Sequence, residues 1–351
     1  MLKFTTPPES LCILRLSALG DTCHVVPVIR AVQRAWPATR LTWIIGRMEA
    51  RLMTLLPGVE FITIDKRAGL AGARTLRELT RARRFDVLLH LQLSLRASLL
   101  STQVRARVRL GFDRARAREL QWLFTNARIA PARHEHVLDS FLGFARALGL
   151  PATAPEWNLP LPDDALAYAA RLIPDAQPTL VISPCSSHRA RNWHPERYAA
   201  VADHAVQRHG MRVILCGGPS ASERALAAAI ERAAQSRLIN QTGQDTLPQL
   251  LALLGRASAL LSPDSGPVHM ATMVATPVIG LYAATRLARS GPYLSQQWCV
   301  DRYDAAARRF RGRSAAELPW HAKLEYPGVM DLITIEDVCE RLDALLRSRR
   351  A

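Results

Sequence analysis

Residues 15–32 read RLSALGDTCHVVPVIRAV: a charged strand end, a Gly-Asp pair and then an apolar helix. The stretch continues a β-rich run, LCILRL at 11–16. A strand, a tight turn and a helix in that order are the opening of a βαβ unit, whose sheet is parallel. The carboxylate of Asp21 admits two readings at this turn. As a helix N-cap it accepts backbone N–H bonds of the first turn. As a group at the C-terminal end of a parallel strand it stands where such sheets bind ligands.

The alternation continues outward from this unit. Further strands are predicted at 41–45, 59–64, 86–91 and 107–111, with helices between them and a last helix near 135–148. The pattern starts afresh in the second half, with strands at 179–184, 211–216, 237–239, 258–262 and 277–282 and helices at 196–209, 220–234, 246–255 and 266–274. Between the halves lie Pro151, Pro155, Pro160, Pro162, Pro174 and Pro178, which interrupt any long element. The expected organisation is α/β, with a Rossmann-like domain at 1–155, a Pro-rich linker at 156–175 carrying one short helix near 164–172, and a second Rossmann-like domain at 176–325. A tail at 326–351, helical in period over 335–349, is free to pack back on the first domain.

Composition narrows the function. The chain has 351 residues, 49% of them hydrophobic and 22% charged, which fits two ordinary globular domains. No run approaches a membrane span, and prolines and Arg15 break the N-terminal stretch before a signal-peptide core can form, so the expected location is the cytoplasm. Six scattered cysteines without a C-x-x-C pair read as small buried hydrophobes in a reducing compartment. The net charge of +16 is carried by arginine, since only Lys3, Lys66 and Lys323 are lysine. Clusters at Arg105-Arg107-Arg109, Arg114-Arg116-Arg118 and Arg308-Arg309-Arg311-Arg313 suit an anionic partner or a solvated basic face. Nucleic acid is disfavoured, because no helix-turn-helix, KH or RRM signature and no interleaved aromatics accompany the arginines.

Three loops of the second half carry the chemistry. No strand is followed by G-x-G-x-x-G, which removes the main support for a dehydrogenase. The loop SPCSSHRARNWHP (183–195) instead offers Ser186, Ser187, Arg191 and a helix start near Pro195, a donor set for phosphate oxygens. CGGPSASER (216–224) is a strand, a Gly-Gly turn and a helix that Ser220 or Ser222 can cap. SPDSGPVH (262–269) packs Asp264, Ser265, Gly266 and His269 into one strand-to-helix turn, giving a carboxylate for hydroxyls and bare N–H groups for anions. No carboxylate pair stands at metal spacing, so no metal is expected at the phosphates.

SALGDTCHVVPVIRAV, S-S-x-x-x-R-N-W-H-P, GGPSASER, TGQDTLPQLLALL (242–254) and DSGPVHMA occur in an order and spacing that resemble glycosyltransferase family 9, the lipopolysaccharide heptosyltransferases, over nearly the whole chain. The resemblance implies a GT-B fold, two Rossmann-like domains with parallel sheets facing a central cleft. It implies inverting transfer of a heptose from ADP-heptose to the inner core of a lipid A/Kdo glycolipid, with no cofactor beyond the sugar nucleotide. By position Asp21 resembles the general base. Ser186, Ser187, Arg191, Asp264, Ser265, Gly266 and His269 resemble the donor-binding set of a C-terminal nucleotide-sugar domain. Arg118 resembles an acceptor-side arginine in an N-terminal acceptor domain, and Arg15 is expected to orient Asp21 or contact acceptor anions. The arginine clusters then suit Kdo carboxylates, lipid phosphates and peripheral contact with the anionic cytoplasmic face of the inner membrane. Two segments depart from the family pattern. His90-Leu91-Gln92-Leu93 replaces Asp-x-Gln-Gly and is expected to alter the acceptor-side floor, and Ala283–Arg286 replaces Gly-Pro-Thr-Asp. A nucleotide-sugar-binding protein without catalysis is the alternative, and a nucleic-acid-binding α/β protein a more distant one.

Overall fold

The computed structural model describes residue 4 and residues 6–349. The chain divides into two compact units, Met1–Pro160 and Leu161–Ala351. The first contains β1 (Ser10–Leu14), α1 (Leu19–Ala35), β2 (Arg40–Gly46), α2 (Arg47–Met53), β3 (Val59–Ile64), α3 (Gly69–Thr80), β4 (Phe85–His90), α4 (Leu95–Ser101), β5 (Ala106–Gly111), β6 (Ala127–Arg128) and α5 (Val137–Ala147). Its sheet has the order β3-β2-β1-β4-β5-β6, all parallel. Helices on both faces bury the strands completely at the centre: Leu11 to Leu14 and Val87 to Leu89 are at most 1% exposed. Such doubly covered strands read as continuous apolar runs, which is why they stand out in the sequence.

The second unit repeats the plan with α6 (Asp163–Leu172), β7 (Thr179–Ile182), α7 (Pro195–His209), β8 (Arg212–Leu215), α8 (Ala221–Ala233), β9 (Ile239–Asn240), α9 (Leu247–Arg256), β10 (Ala259–Pro263), α10 (Gly266–Met273), β11 (Val278–Tyr282), α11 (Leu287–Ser290), β12 (Val300–Asp301), α12 (Tyr303–Arg311) and α13 (Ile335–Ser348). Its order, β12-β11-β10-β7-β8-β9, is the same doubly wound order counted from β7. In each sheet the chain reverses its direction of growth between two central strands, β1 and β4 in one and β7 and β10 in the other. Crossover loops diverge there and leave a crevice at the strands' C-terminal ends.

Three expectations need correction. The Pro-rich stretch is not a free linker. Trp157 is buried in the first unit, its indole donating to the Cys23 carbonyl of α1 at 3.0 Å. Residues 163–172 form α6, which packs on α9 and joins the second unit, with the Tyr168 hydroxyl donating to Gln241 Oε1 at 3.0 Å. Pro162 precedes that helix and Asp163 and Asp164 fill its first turn, so the proline marks a helix start. Each sheet also gains a two-residue edge strand, β6 and β12, too short to give a period in the sequence.

The tail is the third correction, because α13 belongs to the second unit. Thr334 and Asp337 close a capping box at its start, and Val338, Leu342, Leu345 and Leu346 bury its apolar face in the core shared with α7. A polar staple completes the contact. Asp343 Oδ1 accepts from His204 Nε2 at 2.7 Å and from His209 Nε2 at 2.6 Å. Gly210, at φ +62°, ends α7 immediately after His209. Burial pushes the Asp343 carboxyl up, but the two imidazole bonds more than offset that and hold it below the usual carboxylate range. Asp343→Ala is expected to cost about 1–2 kcal/mol by removing both bonds, which a thermal melt followed by circular dichroism reads as a drop of a few degrees. An unchanged melting temperature would show that the staple adds nothing.

Candidate active site

Asp21 lies two residues into α1, just past β1, at the reversal point of the first sheet. It is not the N-cap. That position is Ala18, whose backbone N–H donates to Asp21 Oδ2 at 3.3 Å, so the carboxylate closes the turn from its third helical residue. The same oxygen takes a short ion pair from Arg15 Nη2, and among the described residues none bonds Oδ1. Arg15 is nearly enclosed, its side chain 9% exposed against 32% for Asp21. Its Nη1 donates to the Leu91 carbonyl at 2.6 Å, and its guanidinium lies 5.3 Å from the Phe141 ring centroid. The cation is therefore fixed at the ends of β1 and β4 and holds one oxygen of the more open carboxylate.

Two glutamines build the wall behind this pair. Gln92 Oε1 accepts from the N–H groups of Leu16 and Ser17 at 3.0 and 3.3 Å. Gln121 Nε2 donates to the carbonyls of His90 and Gln92 at 2.8 and 3.2 Å, and its Oε1 accepts from Phe112 N–H. His90 does not form a floor on the acceptor side, as its departure from the family pattern had suggested. It is fully buried, with Nε2 3.1 Å from Ser98 Oγ. Burial, then the charges of Arg109 and Arg15, lower its pKa to about 3, so it is a neutral core group. Arg118 is exposed on the segment that Gln121 tethers. Its neighbours in the sequence cluster are differently placed: Arg116 is locked between Asp113 and Glu135, and Arg114 stacks on Trp122 at 4.3 Å.

In the second unit the loops after β7 and β10 are stitched together at the corresponding reversal point. Ser262 Oγ donates to the Ser183 carbonyl at 2.8 Å and lies 2.8 Å from Ser265 Oγ. Ser186 Oγ donates to the Asp264 carbonyl at 2.8 Å, while its N–H donates to Asn192 Oδ1 at 2.7 Å. Trp193 anchors the loop from below through Nε1 to the Ile333 carbonyl at 3.2 Å, and packs edge-on against Tyr198. Ser265 is the N-cap of α10 without a side-chain bond to the helix, so the N–H groups that open α10 at Gly266 and Val268 have no capping side chain. Ser187 is exposed and His269 is buried.

Arg191 sits between two carboxylates. Its Nη1 reaches Asp264 Oδ2 at 3.2 Å, and its Nε and Nη2 donate to Glu325 Oε1 at 2.9 and 2.6 Å. A guanidinium has five N–H donors, so both terminal nitrogens keep one to spare. Glu325 was missed in the sequence, where it stands 134 residues from Arg191 with no local pattern around it. The CGGPSASER loop follows the cap reading: Ser220 Oγ accepts from Glu223 N–H, and Glu223 Oε2 accepts from Gly218 N–H at 2.6 Å. Asp245, also missed, opens the loop before α9, and its carboxyl is pushed up to about 6, first by burial. Arg286, in the departing 283–286 segment, is wedged between Tyr303 and Trp320 at 4.6 and 4.8 Å and donates to the Ala315 carbonyl. Among the described residues the one His/Asp cluster with ligand atoms close enough for a metal is His204, His209 and Asp343, away from these loops on α7 and α13.

With this geometry in place, comparison with known proteins is informative. The family model described as glycosyltransferase family 9 (heptosyltransferase) matches residues 73–320. The chain is 40% identical to the lipopolysaccharide core heptosyltransferase OpsX of Haemophilus influenzae, over 98% of this chain and 99% of that protein. In structure it is similar to a family 9 glycosyltransferase from Veillonella parvula, with a TM-score of 0.79, 20% identity and 97% of each chain covered. It is also similar to the E. coli heptosyltransferase WaaC solved with ADP, with a TM-score of 0.75, 20% identity and coverage of 96% and 99%.

The Arg191 clamp gives a test of its own. Although burial pushes Glu325 up, its bonds to Arg191 hold the carboxyl below the usual range. A depressed carboxylate contributes stability above its unfolded pKa and loses it as pH falls through the native value. Urea melts of wild type and Glu325→Gln are expected to differ by about 1–2 kcal/mol at pH 7, and to converge in acid as the Glu325 carboxylate takes up its proton. A gap that stays constant across that range would mean the pair contributes nothing through charge.

Proposed function

The chain belongs to glycosyltransferase family 9, and from that premise we propose that it moves a heptose from ADP-heptose to the inner core of a lipopolysaccharide precursor, with inversion at the anomeric carbon. The full-length 40% identity to a lipopolysaccharide core heptosyltransferase supports the substrate class. The observation that carries the chemical reading is the Arg15–Asp21 pair at the reversal point of the first sheet, one carboxylate oxygen held and the other open.

In this reading Asp21 Oδ1 accepts the proton of the acceptor hydroxyl as that oxygen bonds to the anomeric carbon. The bond from the anomeric carbon to the donor phosphate breaks in the same displacement, and the electron pair leaves on the nucleoside diphosphate. Arg15 is a positioning residue: enclosed and bonded to the Leu91 carbonyl, it keeps the carboxylate from turning away. In the second unit the N–H groups opening α10, the Ser186 and Ser187 loop and the spare donors of Arg191 suit the negative charge that grows on the leaving diphosphate. Asp264 and His269 fit beside them as donor contacts. Glu325 joins the set by holding Arg191 in place. Exposed Arg118 is suited to acceptor anions.

The acceptor is lipid-linked, so the protein works at the cytoplasmic face of the inner membrane as a peripheral enzyme. Among the described residues no helix is long and apolar enough to cross a membrane. The donor is the only small molecule this reading requires.

Asp21→Asn separates the base from the structural part. Asparagine keeps an oxygen for Arg15 and for the Ala18 N–H, so the variant is expected to melt as wild type does. Turnover with saturating ADP-heptose and a truncated lipid A acceptor is expected to fall by about 10²–10⁴-fold with ADP affinity retained. A variant that turns over at more than half the wild-type rate would leave Asp21 as a turn former and point to a protein whose base is elsewhere.

A further inference from the structure

One arginine cluster takes no part in the site described above. Arg81, Arg83 and Arg84, in the turn before β4, meet Arg105, just before β5, and Arg109, within β5, around an open cavity of about 490 Å³. Thr102, Val104, Ala82 and Ala106 complete its lining, which contains no carboxylate. The cavity precedes strands β4 and β5, whereas Asp21 and Leu91 follow β1 and β4. It therefore opens at the opposite edge of the sheet, about 20 Å of strand away.

The five arginines are not equivalent. Arg109 is the floor: Nη1 donates to the Val104 carbonyl at 2.9 Å, Nη2 to the carbonyl and hydroxyl of Ser101 at 2.8 and 2.7 Å, and Nε to the Phe124 carbonyl at 2.9 Å. These oxygens satisfy its hydrogen bonds without neutralising it, so a half-enclosed cation stands with no carboxylate partner. Burial and then the Arg109 charge hold the nearby His90 neutral, as expected beside an uncompensated cation. Arg83 is paired with Glu60. Arg81, Arg84 and Arg105 are exposed and form no ion pair among the described residues. Three exposed forks over a fixed positive floor, in a concave wall, focus a positive field on one spot.

We propose that Arg81, Arg84 and Arg105, above Arg109, form a binding pocket for a phosphate-bearing anion, separate from the donor site. Guanidinium forks match phosphate oxygens two at a time, and several arginines with no competing carboxylate favour a phosphate, whose oxygens they can share, over a single carboxylate. The phosphate can come from an anionic lipid headgroup or from a soluble polyphosphate.

The test compares the full-length wild type with Arg81→Ser/Arg84→Ser/Arg105→Ser, with its triple Lys counterpart, and with Arg232→Ser/Arg237→Ser/Arg347→Ser, which removes the same charge from exposed positions of the second unit. Binding is measured in saturating ADP, so that the donor site is occupied, and turnover is measured separately without added ADP. Inorganic pyrophosphate is titrated by calorimetry at low salt, and flotation is measured with phosphatidylcholine vesicles with and without 30% phosphatidylglycerol. The wild type, the Lys variant and the second-unit variant are expected to bind alike, and the pocket Ser variant at least tenfold more weakly, with its melt and its turnover on a soluble acceptor unchanged. Loss confined to pyrophosphate identifies a soluble ligand, and loss that includes the phosphatidylglycerol vesicles identifies a headgroup. Equal loss in the second-unit variant would reduce the effect to net charge and overturn the pocket, as would a wild type that binds neither anion.

Discussion

The pairing of β1 with β4, and of β7 with β10, is the constraint on which the rest of the molecule depends. Each pair joins strands that lie far apart in sequence, and backbone bonds run past the ends of both: Leu91 N–H to the Leu14 carbonyl at 3.1 Å, and Ser183 N–H to the Leu261 carbonyl at 3.0 Å. Because the strands are parallel, all four loops emerge on the C-terminal edge of their sheets. Because the order reverses at these pairs, the helices that follow leave to opposite faces and do not cover that edge. Side chains that begin there, Asp21 after β1 and Ser186 and Asp264 after β7 and β10, stand at the strand ends and not inside the sheets.

Charge is organised around that edge by pairing cations with carboxylates drawn from different elements. Arg15 is held to Asp21 and to the end of β4, and Arg191 is held between Asp264 and Glu325. Both guanidiniums are largely enclosed, at 9% and 12% side-chain exposure, where a charge without a partner is costly and a misplaced one has little freedom to move. Elsewhere the same residue type serves different physics. Arg116 ties Asp113 to Glu135, Arg286 lies between two aromatic faces, and Arg109 satisfies carbonyls and leaves its charge unbalanced. A net charge of +16 is therefore a mixture of structural cations and a smaller set open to anions.

The fold and the loops that carry the candidate site are legible in the sequence because they are local. A strand covered on both faces is a short apolar run, a helix beside it has its own period, and the loop between them shows its Gly, Ser and Asp within a few residues. RLSALGDTCHVVPVIRAV, SPCSSHRARNWHP and SPDSGPVH each hold a strand end, a turn and a helix start, so local pattern alone puts Asp21, Ser186, Arg191 and Asp264 in loops that follow strands β1, β7 and β10. The prolines between 151 and 178 misled because a proline looks the same in a linker and ahead of a helix, and only the burial of Trp157 and the seating of α6 on α9 separate the two.

Partners were what the sequence alone left undetermined. That Asp21 closes its turn from the third helical position and meets Arg15, that Arg191 is shared by Glu325, and that His90 is a core group follow from side chains brought together across 6 to 134 residues. The same holds for the carboxylate-free wall of Arg81, Arg84 and Arg105, which two separate turns create only when β4 and β5 lie side by side. Residue type and local period set which elements form and on which edge the candidate site residues lie. Which charges meet depends on distances through space, and those exist only once parallel strands from distant segments have paired.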